Sequence, residues 1–325
     1  MTPEPGQPAS ATTAAAIAFV AAHRTQADAA GRGLAELVED PEAFAAGLDD
    51  ALRSLADPTY AAGLDRVAPG LVGAIGVRGP LLHGLRASLV RASRRAPSAV
   101  LLAVVERIGR SDITEARWLG IELMDRLVLA DSERTWQLMR RAAAGAGEWI
   151  TVDTLASPYA RGILREPYRW AEVEQLVYSP SRWERRLAGS SIARMPFVDQ
   201  RAGREPLVAE RGLGVVGLLI GDAAPDVQKA LSWALRSLTL VDAAAVTAFC
   251  RAEADRAVTT DDGARAWVLR DALEKLAAGD AADLRTSLAG IRRRPNAPST
   301  SEAAATAARY GALPEPASVR ITPFP

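Results

Sequence analysis

The sequence is poor in the residues that most often carry chemistry. Cys250 is its one cysteine, which excludes an intrachain disulfide and a thiolate cluster for zinc or iron. The only histidines, His23 and His83, stand alone, so no histidine metal site is expected. Aromatic residues make up 5% of the chain, and its only lysines are Lys229 and Lys275. No apolar run reaches the roughly 20 residues a membrane helix needs. The opening "MTPEPGQPAS" lacks the basic-then-apolar order of a secretion signal, and a reducing compartment is expected.

What is present points to helices. Apolar residues form 49% of the chain, and alanine and leucine, which lose little on entering a helix, dominate them. Formal net charge is zero, which argues against a uniformly basic coat. The charge is nevertheless uneven. Residues 1–60 hold three arginines against nine acids, and residues 61–211 hold twenty-three against seventeen. This pattern permits a basic groove in a neutral protein. The preference for arginine suits two-pronged phosphate contacts, and it also fits a bias in genomic base composition.

Residues 1–12 read as disordered, residues 13–291 as a helical-repeat domain, and residues 292–325 as a largely flexible tail with a short helix near 301–309. In the middle, helices of roughly 10 to 15 residues alternate with Pro, Gly, Ser or Asp breaks. They pair over roughly 35 to 45 residues, the period of HEAT-like or armadillo-like stacking. The expected fold is all-α, a HEAT-like helical-repeat solenoid with a concave basic groove. The apolar "GLGVVGLLIG" is open to strand or buried helix, and its helical neighbours favour the helix.

The stretch "GEWITVDTLASPYARGILREPYRW" at 147–170 combines Trp149, Asp153, Arg161, Arg165, Arg169 and Trp170. On a helix, Trp149 and Asp153 share one face. A carboxylate set among Ile150, Val152, Leu155 and Ala156 needs partners or water. Facing a groove, it can hold a water for attack at a cationic centre, with Trp149 stacking beside it. The plainer reading is a capping or salt-bridged aspartate beside a core tryptophan. In "SPSRWERRLAGSSIARM", Ser181 and Glu184 have capping-box spacing. Arg182, Arg185 and Arg186 follow, and the last two point in different directions. In "DVQKALSWALRSL", Lys229, Trp233 and Arg236 place cation, aromatic and cation on one face. That suits phosphate contacts around an aromatic wall or a helix edge around a core tryptophan.

These blocks resemble the AlkD-type HEAT-repeat DNA alkylpurine glycosylases. "GVRGPLLHGLR" (76–86), "ARWLGIELM" (116–124), "EWITVDTLA" (148–156), "SRWERRLA" (181–188) and "VQKALSWALRSL" (227–238) are similar in order and content to that family's blocks, across about residues 60–245. The resemblance implies that Asp153 is the catalytic carboxylate, with Trp149 and Trp233 as the walls that hold the damaged nucleotide. It implies DNA-backbone contact by Arg186, with Arg185 second. Lys229, Arg236 and Arg182 are the further DNA-binding candidates. It implies a monofunctional hydrolase that removes cationic N3-alkyladenine or N7-alkylguanine, bulky adducts included, without a cofactor. The expected partner is double-stranded DNA carrying alkylated purines. The expected form is a monomer in the bacterial cytoplasm, with the nucleoid when bound to DNA. The sequence departs from the family at Ile150, where a polar or acidic residue is common. The rival expectation is a non-catalytic HEAT-repeat DNA binder.

Overall fold

The computed structural model describes residues 11–309. Residues 1–10 and 310–325, which include most of the segment expected to be disordered and the end of the tail, lie outside the described residues. The described chain is all-α with HEAT-like repeat packing, and its one strand-like feature is an isolated bridge between Ala56 and Val77. It divides into two compact units, with the boundary after Leu138.

The first unit contains α1 (Ala11–Ala35), α2 (Pro41–Ser54), α3 (Pro58–Val67), α4 (Gly79–Ala92), α5 (Ser98–Ile108) and α6 (Thr114–Ala130); α7 (Ser132–Ala144) spans the boundary. Asp-Pro pairs start two of these helices. Asp40 accepts from the amides of Glu42 and Ala43, Asp57 accepts from those of Thr59 and Tyr60, and the proline follows at the first helical position. The aspartate satisfies orphan donors, and the proline has no donor to leave orphaned. Between α3 and α4 the chain turns through Gly70, Gly73 and Gly76, all with positive φ. Glu115 of α6, 0% exposed, reaches into this turn and accepts from the backbone amides of Ile75 (3.1 Å), Gly76 (2.8 Å) and Val77 (3.1 Å).

The second unit contains α8 (Trp149–Arg165), α9 (Trp170–Leu176), α10 (Arg182–Val198), α11 (Pro206–Leu219), α12 (Pro225–Leu238), α13 (Ala243–Thr260), α14 (Gly263–Ala272), α15 (Ala278–Ser287) and α16 (Glu302–Arg309). "GLGVVGLLIG" resolves as helix, most of it in α11, which Pro206 opens. Helices α8, α10, α12 and α14 neighbour one another in that order. Three polar rungs join α8 to α10. Ser190 donates to Asp153 (2.7 Å), Arg194 to Ser157 (2.9 Å), and Arg161 to the Val198 carbonyl (3.0 Å). Each rung spans the same 37 residues, and the rungs step by four. The two helices therefore run parallel, one repeat apart, within the period read from the sequence. Gly189 brings α10 close to α12, since a Cβ there would stand 3.1 Å from the carbonyl carbon of Ala230.

After α15 the chain crosses the second unit as a strap. Thr300 donates its amide to the Gly221 carbonyl (2.9 Å) and its hydroxyl to Asp262, and Ser301 and Ala303 are buried. Two glycines make room for it. A Cβ on Gly263 would lie 2.0 Å from the Arg292 carbonyl oxygen, and one on Gly221 would lie 2.3 Å from the Thr300 hydroxyl.

Cys250 is fully buried on α13, and that burial pushes its thiol up to about 12. Thiolate is the reactive form. A thiol-reactive dye is therefore expected to leave the folded protein unlabelled at neutral pH and to label one site in denaturant. Stoichiometric labelling of the native protein would contradict this.

Candidate active site

The start of α8 is fixed by an unusual cap. Glu148, nearly fully buried, accepts from the amides of Ile150 and Thr151 (2.8 Å for the latter). This cap does for α8 what Asp40 does for α2, and it places Trp149 at the first helical position. One turn later comes Asp153, with a side chain 21% exposed. Asp153 therefore does not cap the helix.

Asp153 is held by α10. Arg186 grips it with both prongs of its fork, from Nε to Oδ1 (3.0 Å) and from Nη2 to Oδ2 (2.6 Å), and Ser190 adds its hydroxyl to Oδ1. The remaining arm of Arg186 donates to the Asp226 carbonyl in the first turn of α12 (2.7 Å). The guanidinium carbon lies 5.9 Å from the centre of the Trp149 ring. Three consecutive repeats thus converge on one carboxylate. Two-pronged, charge-assisted bonds of this kind are short and directional. They fix Asp153 in one orientation on a side chain that stays partly exposed. An ionised carboxylate offers about four lone-pair positions, and three are taken here.

The other candidates are placed as follows. Trp149 and Trp233 are both half-buried. Ala230 lies against Gly189, so Trp233, three residues further along α12, stands about half a turn beyond the level of Ser190. Arg186 itself is only 5% exposed, and the bonds described for its guanidinium all run to protein groups. Arg185 turns the other way. It pairs with buried Asp222 (2.7 Å) and donates to the carbonyls of Ser179 and Pro180. Arg182 is exposed and stacks 4.6 Å over Trp183. Lys229 is exposed, and Arg236 pairs with Asp271 on α14.

The expected capping box at Ser181 and Glu184 forms differently. Ser181 caps Trp183, but Glu184 accepts from the Ser179 hydroxyl, which in turn takes the Ser181 amide. The added serine outcompetes the direct contact. Of the arginines in the 147–170 stretch, Arg161 forms a rung, Arg165 is exposed, and Arg169 is buried against Glu166 and Glu172. Arg169 is thus a fold residue rather than part of a surface. Two residues that the sequence reading passed over complete the wall, Ser190 and Arg194. With Arg186 they repeat at four-residue spacing along one face of α10, a signal present in the sequence.

No group of three or more His, Cys, Asp or Glu among the described residues could hold a metal ion. No helix among them is long and apolar enough to cross a membrane.

A family model described as DNA alkylation repair enzyme matches residues 48–276, and the chain belongs to that family. No curated protein and no solved structure matches it.

Proposed function

We propose that the protein is a monofunctional DNA glycosylase that hydrolyses the N-glycosidic bond of cationic N3-alkyladenine or N7-alkylguanine, bulky adducts included. Its substrate is double-stranded DNA, and it acts as a monomer in the bacterial cytoplasm without a cofactor. Family membership supports a role in alkylation repair. The observation that carries the finer reading is the oriented carboxylate of Asp153, on a partly exposed side chain beside Trp149.

The chemistry follows from the charge of the lesion. Alkylation at a ring nitrogen makes the base cationic, so it departs neutral and needs no general acid. Positive charge then develops on the sugar. A fixed carboxylate stabilises that charge, and its remaining lone-pair position accepts from the attacking water. Trp149 and Trp233 supply π faces to the sugar as it becomes cationic, and they wall its backbone. Arg186 and Ser190 set the carboxylate's orientation in advance, so little reorganisation accompanies bond breaking. Lys229, Arg236 and Arg182 serve the DNA backbone around the lesion. Of the two adjacent arginines, Arg186 is nearly buried and committed to Asp153, and Arg185, at the Ser179–Pro180 turn, keeps the greater exposure.

One observation favours the second reading, a non-catalytic DNA binder. Three of the four lone-pair positions on Asp153 are occupied, as in a structural ion pair. Incubation with a duplex carrying N7-methylguanine separates the two. Release of free methylguanine, leaving an abasic site that alkali cleaves, is the expected result. Tight binding of that duplex and of bulky-adduct duplexes with no base released selects the binder.

A further inference from the structure

Residues 292–294 are three consecutive arginines beyond the region matched by the family, in a stretch whose composition suggests a solvated tail. The structure gives them a fixed seat. The missing side chain of Gly263 admits the backbone of Arg292 and Arg293, with a Cβ there falling 2.6 Å from the Arg293 amide nitrogen. The Arg293 guanidinium lies 4.7 Å over the ring of Trp267 on α14. One of its arms donates to Gln228 Oε1 (2.9 Å). Gln228 is 1% exposed, and its amide nitrogen donates to the Asp222 carbonyl (2.7 Å), which fixes the direction of its oxygen.

The charge around this seat is unbalanced. Arg294 pairs with Asp261. Among the described residues no ion pair is formed by Arg292, Arg293 or Arg270. Arg270 donates to the Leu288 carbonyl, and Arg292 to the carbonyl of Ile291. Burial, and then the charges of Arg292 and Arg293, hold the Arg270 guanidinium below its ordinary value. Three cations gathered without a carboxylate repel one another, and an anion seated between them removes that cost. Arg292 and Arg293 are exposed, and the fork of Arg293, held over an indole and bonded to Gln228, has further N–H donors to present.

The position of this cluster relates it to Asp153. Arg186 holds the Asp226 carbonyl in the first turn of α12, and Arg293 holds Gln228, two residues on. The two guanidiniums thus meet the same helical turn.

We infer that Arg292, Arg293 and Arg270 form a second phosphate-binding site for the backbone of duplex DNA. This rests on the DNA-binding part of the reading above, not on catalysis. The test is binding of an unmodified duplex, followed by fluorescence anisotropy from about 50 to 200 mM salt. Arg292→Ala/Arg293→Ala is compared with the parent protein and with Arg294→Ala, after thermal melts show that all three fold. Each phosphate contact contributes about 0.9 to the slope of log affinity against log salt, so the double variant is expected to lose about 1.8 from that slope. The weakening should be equal on unrelated sequences, and Arg294→Ala should keep the parent slope. A parent that binds and a double variant with an unchanged slope would overturn the second site and leave the proposed function standing. A parent that binds no duplex at all would overturn both.

Discussion

Asp153→Asn is expected to lower release of N7-methylguanine by at least about 10²- to 10³-fold, the scale on which loss of one preorganised electrostatic group acts. Asparagine keeps the shape and one acceptor oxygen, so Ser190 retains a partner. The negative charge is gone, however, and the amide nitrogen presents donors where Arg186 also presents donors. The variant should also be less stable, because Arg186 remains buried without a counter-charge. Breaking a fully buried pair costs about 3–5 kcal/mol, and the partial exposure of Asp153 places this case below that range. Rates are therefore to be compared at a temperature where melts show both proteins folded. Arg186→Lys supplies the companion measurement. It keeps a cation near Asp153 but cannot grip both oxygens, and a smaller loss of rate is expected. Retention of base release within about threefold in Asp153→Asn would remove the carboxylate from the mechanism.

The second large effect lies in the first unit and concerns stability alone. Glu115→Ala removes the acceptor for three backbone amides at once, those of Ile75, Gly76 and Val77. Each buried donor left unsatisfied costs about 1–3 kcal/mol, and water entering the vacated space offsets part of the sum. A loss of about 3–5 kcal/mol is expected, close to the whole stability of a marginal domain. Urea unfolding measures it, and hydrogen exchange at the three amides should accelerate ahead of global unfolding. Glu115→Gln retains one acceptor oxygen and should lose less. A change below about 1 kcal/mol in Glu115→Ala would mean that the glycine turn holds its shape without the carboxylate.

The features legible in the sequence were those set by local periodicity. Helix identity, the Pro, Gly, Ser or Asp breaks between helices, the shared face of Trp149 and Asp153, and the repeat of 35 to 45 residues depend on neighbours within a few turns. The pairing of Asp153 with Arg186 does not. It depends on the register between α8 and α10, which packing fixes and which the rungs at 37 residues reveal only in three dimensions. The two readings of Asp153 as salt-bridged and as groove-facing are also not exclusive, because its side chain is ion-paired and partly exposed at once. The Glu115 contacts were hidden for a related reason, since a glycine-rich turn shows in sequence that the chain bends but not which distant side chain fills the bend. The Glu148 cap was missed because serine, threonine and aspartate are the usual residues there, and a glutamate can serve when burial holds its longer chain in place.

The mutual grip of Asp153 and Arg186 has a bearing on descent. A lineage that abandons the carboxylate retains a sealed-in cation with nothing to face, and one that abandons the arginine releases the carboxylate from its fixed pose. Neither position can drift by itself without harm to the fold or to the pose. Descendants that lose the activity should therefore replace the two together, leaving a paired scar across the two helices.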